Sequence, residues 1–415
     1  LRSLVGSEMC IRDSFMSDLS QNLGPLTGIR VIDLTINVLG PVATQILGDM
    51  GAEVIKVETP SGDPMRQIGA SNTGTLGPFF QTTNRNKKSI VLDLKKLECK
   101  RALLELSKTA DVFVHNMRQA ATERLEIDYK VLKAVNDKII YASATGYRRG
   151  GAKDGRPAYD DVIQGESGIV NLIERTNGEA RFIPMPISDK FCGHTLASAI
   201  GMALYHREKT GHGQEIHVPM LETMLSFNLT THLWNGSKGK NNELGYPRAL
   251  SPYRVPYKTK DGMVCVLAHT DEQWHRLLRA IGRGDLIQDP RFTYLAQRAE
   301  NIATLQSYLA EGLAQFTTTE AFQLLDDADL PNGPVITLEE MMDDPYLEDT
   351  NFFPMIDDQN EGPLHTTAIP VEFSETPGTL RNTAPPLGEH TAELLLEVGF
   401  SHEEIAQILE NRSTG

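Results

Sequence analysis

The sequence predicts an α/β protein in which a doubly wound, Rossmann-like parallel sheet forms a large, discontinuous domain, accompanied by a smaller α+β domain. Short β-branched runs alternate with helical patterns through the first 220 residues, which is how parallel βαβ units are written. A differently patterned stretch of one strand and several helices follows over 246–345. The length, 415 residues, also exceeds what one ordinary core supports.

Residues 28–34 (GIRVIDL) are a β-branched run bounded by turn residues, the mark of a buried strand. Gly40 and Pro41 open a helical pattern reaching Met50, with Pro41 suited to a first helical turn and Gly51 to a C-terminal cap. Residues 54–57 form the next strand, and this order predicts a right-handed βαβ unit. Strands over 89–94, 112–115 and 139–143, with a helix over 99–107, continue the alternation. Residues 151–187 are richer in glycine, proline and charge, and precede a helix over 189–206. Gly211 and Gly213 punctuate that helix before a strand over 214–218. A linking helix over 221–235 and a loop-rich stretch over 241–256 lead to a strand over 262–268 and helices over 273–281, 301–315 and 319–326. The motif PPLGEHT and an amphipathic helix ending near Leu409 close the chain. The expected organisation is 16–220 for the first part of the large domain, 221–245 for a linking helix and loop, 246–345 for the small domain and 346–415 for the return to the large one.

A composition of 40% hydrophobic and 23% charged residues places the chain among soluble globular proteins. Its longest apolar stretches, such as 195–205, are far shorter than the roughly 20 residues that cross a bilayer, so no membrane partner is expected. The net charge of -15 argues against nucleic acid as a partner, and an anionic ligand must find a local basic pocket. Cys10, Cys99, Cys192 and Cys265 form no CxxC pair, so neither a zinc site nor a disulfide framework is indicated, and a cytoplasmic location is expected. Residues 1–15, LRSLVGSEMCIRDSF, have the build of neither a secretory signal nor a transit peptide. They resemble translated adaptor read-through and are expected to be a non-native leader, with Met16 as the natural start.

Three motifs bear on function, each with a plainer explanation beside it. Glu58 ends the second strand where a ribose-binding acid sits in dinucleotide-binding units, but TINVLGP after Leu34 lacks the GxGxxG that lets a pyrophosphate approach the helix. A nicotinamide cofactor is therefore not expected. Arg85, Lys87 and Lys88, with Arg66, Arg124, Arg148 and Arg149 at other loop positions, offer positive charge for an anionic cofactor, although such clusters are commonly solvated surface. Ser188 and Asp189 open a helix. An acid there is commonplace as a cap, yet an ionised carboxylate beside exposed backbone N–H groups is also a nucleophile with oxyanion donors at hand. Cys192 and His194 sit on different faces of that helix and are read as packing.

Together these motifs resemble the class III CoA-transferase family, which includes formyl-CoA transferase, L-carnitine CoA-transferase and α-methylacyl-CoA racemase. The resemblance spans 25–409 and rests on LTGIRVIDLT, GPVATQILGDMGAEVIKVE with SGDPMR, NRNKKSIVLDL, DVFVHNMR, ASATGYRRGG, AYDDVIQGESG, ISDKFCG, KTGHGQEIHVPM, PNGPV and PPLGEHT. It implies that Asp189 is the nucleophile and that Val38, Leu39, Asn116, Arg124, Gly146 and Tyr147 contact coenzyme A, with Arg85 and Lys88 near its adenosine phosphate. The partners it implies are acyl-CoA and small carboxylic acids, with no tightly bound cofactor and no metal. It further implies a homodimer of two interlinked rings.

The chain departs from relatives at two places. The racemase branch carries a histidine where this chain has Tyr159, a poor base near neutral pH, which favours transfer over racemisation. The glycine-run loop of formyl-CoA transferase is replaced by LGYPRALSPYRVPY, so 244–257 is the expected lid and a formyl or oxalyl substrate is disfavoured. The mechanism implied by the resemblance runs through an aspartyl anhydride and an aspartyl-CoA thioester. A racemase or isomerase, or a CoA-binding protein without catalysis, is the alternative.

Overall fold

The structure, a computed structural model, describes residues 24–410; the leader expected over 1–15 lies outside them. Six strands form one sheet: β1 (Arg30–Leu34), β2 (Glu53–Glu58), β3 (Lys87–Val91), β4 (Val112–His115), β5 (Ile140–Thr145) and β6 (Glu215–Pro219). Their spatial order is β3-β2-β1-β4-β5-β6 and every neighbouring pair is parallel. The order reverses between β1 and β4, so the connections leaving these two strands diverge and open a crevice at their carboxyl ends.

Helices cover the sheet because strands buried on both faces need apolar partners on both. Val31, Ile32, Val112, Phe113 and Val114 are fully buried. Helix α1 (Leu39–Asp49) follows β1, α2 (Leu97–Lys108) follows β3 and α3 (Gln119–Leu125) follows β4. Cys99, Leu103 and Leu106 of α2 pack into the same core as Ile32, Ile55, Phe113 and Tyr141. Two further helices, α4 (Asp160–Glu166) and α5 (Ile187–Thr210), precede β6, and α5 packs on α1.

The third strand begins at Lys87, two residues earlier than its apolar pattern suggests. Lys87 pairs in register with Val54, and its ammonium is buried against Asp33, so a charged residue sits inside the sheet. The glycine-rich stretch over 151–187 holds α4 and a second short helix, Ile169–Asn177.

The chain divides into two compact units. Among the described residues the first contains 24–166, 183–224 and 351–410; the second contains 167–182 and 225–350. The first also carries an antiparallel hairpin, Met355–Asp358 with Gly362–His365. The second is built on three antiparallel strands, β7 (Tyr257–Lys258), β8 (Met263–Val266) and β9 (Asn332–Pro334). Trp274, Leu277, Leu305, Leu309 and Leu325 fill its core. Capping boxes at Thr270 with Gln273 and at Thr317 with Glu320 start two of its helices.

Candidate active site

The turn after β1 is held from below by buried ions. Asp33 accepts from the Thr35 backbone N–H at 2.8 Å and from the hydroxyls of Thr35 and Thr44, each at 2.6 Å. Lys56 Nζ donates to the Thr35 carbonyl at 2.8 Å and pairs with Asp63 at 2.9 Å. Lys87 pairs with Asp33 at 3.2 Å and Arg66 with Glu58 at 2.7 Å. Three acids and three bases thus meet with almost no solvent contact. Burial alone would raise the Asp33 carboxyl, but Lys87, Lys56 and the two hydroxyls outweigh it and hold it below the ordinary range. The same opposition, burial against Arg66, Lys56 and Ser89, lowers Glu58.

Above this network the chain turns through Asn37, at φ 66°, into Val38 and Leu39. Asparagine tolerates this left-handed conformation better than most side chains. Asn116, beyond the end of β4, clamps the turn from the other side: its Oδ1 accepts the Ile36 N–H at 3.1 Å and its Nδ2 donates to the Ile36 carbonyl at 2.8 Å.

Helix α5 crosses this turn closely because Gly193 has no side chain. A Cβ there would lie 2.6 Å from the Leu39 carbonyl oxygen and 3.2 Å from Val42. The contact brings the first turn of α5, with Asp189, against Val38 and Leu39. Gly146 plays a similar part after β5, where a Cβ would meet that of Ala158 at 2.4 Å, so the 154–159 loop closes over the same space.

The result is a cavity of about 190 Å³ at the carboxyl ends of β1, β4 and β5. Val38, Leu39, Asn116, Gly146, Tyr147 and Asp189 all line it. The structure therefore brings together six of the nine site residues that the resemblance implies. It also adds Arg118 and Arg156, and places there Tyr159, which stands where the racemase branch has its histidine, and Arg149 from the basic loop. Arg149 is anchored by Glu215 and by Ser143 Oγ at 2.9 Å. Among the described residues neither Arg118 nor Arg156 makes an ion pair, which leaves two cations for a ligand. A second cavity of about 210 Å³ shares Ile36 with the first and is lined by Leu34, Val57, Thr59, Leu92, Lys95 and Met117 among others.

The other three residues lie elsewhere. Arg85 is buried against Asp49 at 2.8 Å and also donates to Thr366 and Thr367. Lys88 pairs with Glu53 at 3.1 Å and Glu393 at 2.8 Å. Both stand at or before the start of β3, toward the amino ends of the strands, whereas the cavities open at the carboxyl ends. Arg124 is exposed in the last turn of α3, next to Leu125 of the second cavity, but lines neither.

Asp189 is not the cap of its helix. Its own backbone N–H donates to Asp160 Oδ1 of α4 at 2.9 Å, so Asp160 performs the capping and that N–H does not serve as an oxyanion donor. Among the described residues the Asp189 carboxylate has no hydrogen-bond or ion-pair partner. Burial, and then the nearby Asp160 charge, raise it from 3.8 to about 7. Cys192, one turn along, is fully buried and its thiol is pushed up to about 12, which excludes it as a thiolate nucleophile. Among the described residues no group of three or more metal-ligating side chains occurs and no helix is long and apolar enough to cross a membrane.

Residues 26–391 match CoA-transferase family III. The succinate–glutarate CoA-transferase of Agrobacterium fabrum is 30% identical over 393 residues, covering 92% of this chain and 98% of that protein. The succinyl-CoA:mesaconate CoA-transferase of Haloarcula hispanica is 31% identical over 389 residues, covering 91% and 97%. Among solved structures, Rv3272 from M. tuberculosis superposes with a TM-score of 0.78 at 31% identity, covering 89% of this chain and 99% of that one. A CAIB/BAIF family protein from Brucella suis gives 0.75 at 30% identity, covering 90% and 99%. With a match of this extent joined to a six-stranded parallel sheet and a free carboxylate at its carboxyl edge, the chain belongs to CoA-transferase family III and is an acyl-CoA:carboxylate CoA-transferase.

Proposed function

We propose that this chain carries coenzyme A from an acyl-CoA to a free carboxylic acid through a covalent bond to Asp189. One observation carries the proposal: the Asp189 carboxylate lines the cavity and, among the described residues, has no ion pair and no hydrogen bond to quench it, so both its oxygens remain available to a carbonyl carbon. Attack on the thioester produces an aspartyl anhydride and CoA thiolate; return of the thiolate produces an aspartyl-CoA thioester, and the acceptor acid repeats the steps in reverse. Each intermediate keeps an activated acyl bond. The chemistry therefore runs without an external energy source.

Coenzyme A is long, and two adjoining cavities suit it. The second, over the ends of β1 to β4, suits the adenosine end, as the switch point of a doubly wound sheet does for nucleotides, with Lys95 at its wall and Arg124 beside it. The chain then passes Ile36 and Asn116 toward Gly146, Tyr147 and Asp189. Asn116 acts by fixing Ile36 rather than by offering a free amide. Arg118 and Arg156 supply positive charge for the anionic groups of the two substrates. The named activities of the Agrobacterium and Haloarcula relatives support short dicarboxylates as acids to try first. A homodimer in the cytoplasm belongs to the same proposal, and the exposed Met202 and Tyr205 on α5 support an interface.

A panel of acyl-CoA donors against mono- and dicarboxylates, read by mass spectrometry of the CoA esters, tests the activity. Asp189→Ala is expected to lower turnover by at least about 10³-fold while CoA still binds. Full turnover by that variant contradicts the proposal.

A further inference from the structure

Both oxygens of Asp160 receive donors whose direction is fixed. Oδ1 takes the backbone N–H of Asp189 at 2.9 Å, and a backbone amide nitrogen only donates. Oδ2 takes Nε2 of Gln164 at 2.7 Å. The Gln164 amide cannot turn over, because its Oε1 accepts the Ile183 N–H at 2.9 Å while its Nε2 faces the carbonyls of Ile183 and Met185 at 3.4 and 3.3 Å. Both oxygens of Asp160, only 7% exposed, thus accept hydrogen bonds, the arrangement that suits a carboxylate, and it lies beside an acid whose carboxylate has no hydrogen-bond or ion-pair partner among the described residues.

We infer that Asp160 is a positioning residue whose fixed negative charge favours the covalent, neutral states of Asp189 over its free carboxylate. The inference rests on the reaction proposed above. There, an Asp189 oxygen attacks the thioester carbonyl carbon; a C–O bond forms, the C–S bond breaks and its electron pair leaves on the CoA sulfur. The thiolate then attacks the Asp189 carbonyl carbon; a C–S bond forms and the donor acid leaves as its carboxylate, taking the C–O pair. One negative charge enters and one departs in each step, without a proton. Asp189 is neutral in both the anhydride and the thioester. The repulsion from Asp160 and the lost hydration that burden the free carboxylate are absent from those two states.

The rest of the surroundings of Asp189 in the cavity include apolar groups and three arginines. Leu39 of α1 and Met220 line the same cavity, and Cys192, whose thiol stays neutral, lies near Met220. Arg118, Arg149, Arg156 and Tyr159 line the same cavity, and none of the arginines forms an ion pair with Asp189. The Asp160 carboxylate is thus the charge that acts on Asp189 from a neighbouring helix.

The test uses the full chain, equilibrated with acetyl-CoA or succinyl-CoA at a series of pH values, quenched and weighed by intact mass spectrometry. The readout is the ratio of CoA-bearing to free Asp189 and the pH at which adduct formation is half-maximal. In the unaltered chain the midpoint is expected near pH 7, where Asp189 ionises. Asp160→Asn keeps an acceptor for the Asp189 N–H but sets an amide nitrogen against Gln164, and removes the charge. It is expected to lower the ratio about tenfold at pH 8, the effect of about one unit of pKa, and to move the midpoint toward acid. Asp160→Ser, whose hydroxyl accepts the N–H without charge, serves as a second variant with the same expected outcome should the amide clash prevent folding. An unchanged ratio, or a lower ratio with an unmoved midpoint, overturns the inference. A wild-type chain that forms no adduct at any pH removes the reaction itself, and the inference with it.

Discussion

Two groups of buried or half-buried acids lie within the first unit, and the chain treats them oppositely. Under β1 to β3, Asp33, Asp63 and Glu58 each meet a cation, at 3.2, 2.9 and 2.7 Å. At the junction of α4 and α5, Asp160 and Asp189 meet no cation among the described residues. In the first group, attraction overcomes burial, as the lowered Asp33 and Glu58 carboxyls show. In the second, burial and like charge act together and raise Asp189 to about 7. Compensated acids build the turn that carries Asn37, Val38 and Leu39, and the uncompensated one faces into the cavity. Neutralising every buried charge favours a fixed scaffold, whereas leaving one without a partner keeps a reactive group.

The comparison is broken most severely at the scaffold. Lys56→Met removes the cation shared by Asp63 and the Thr35 carbonyl and leaves buried acids unpaired; a loss of about 3–5 kcal/mol is expected, read from the denaturant midpoint of the first unit. Loss of CoA affinity should accompany it, because the turn above rests on that ammonium. Stability equal to that of the unaltered chain would show that the network does not hold the turn.

The opposite sign is expected at the other acid. A carboxyl raised from 3.8 to about 7 contributes stability that is complete below pH 3.8 and is lost as pH rises through 7. Asp189→Asn cannot ionise and so escapes that loss. It is expected to stabilise the protein by about 2 kcal/mol at pH 8, a figure discounted because the side chain opens on the cavity, and to change nothing at pH 4. Destabilisation at pH 8 would mean that the carboxylate has a partner in solution.

Much of the scaffold was legible in the sequence because parallel strands buried on both faces read as apolar runs, as GIRVIDL and the segment over 112–115 do. Lys56 and Lys87 were not legible as buried, since a lysine in a strand looks like a solvated one until its partner is placed; Asp33 and Lys87 are 54 residues apart. Arg85 and Lys88 were matched to the phosphate region by resemblance, yet residues that precede or open a strand stand at the wrong end of a parallel sheet for its crevice. Asp189 stood out through ISDKFCG, whose glycine admits Leu39. Asp160 lay inside the quoted AYDDVIQGESG, but a carboxylate capping a helix that starts 27 residues later leaves no local pattern. Arg118 and Arg156 likewise reach the cavity from separate loops.

The central claim is a covalent bond between Asp189 and the acyl or CoA moiety. Incubating the full chain with acyl-CoA, treating it with hydroxylamine or borohydride, and sequencing the modified peptide by mass spectrometry measures it directly. The account predicts modification of Asp189 and of no other acid, abolished in Asp189→Asn. Turnover without that modification, or a label on a different residue, contradicts it.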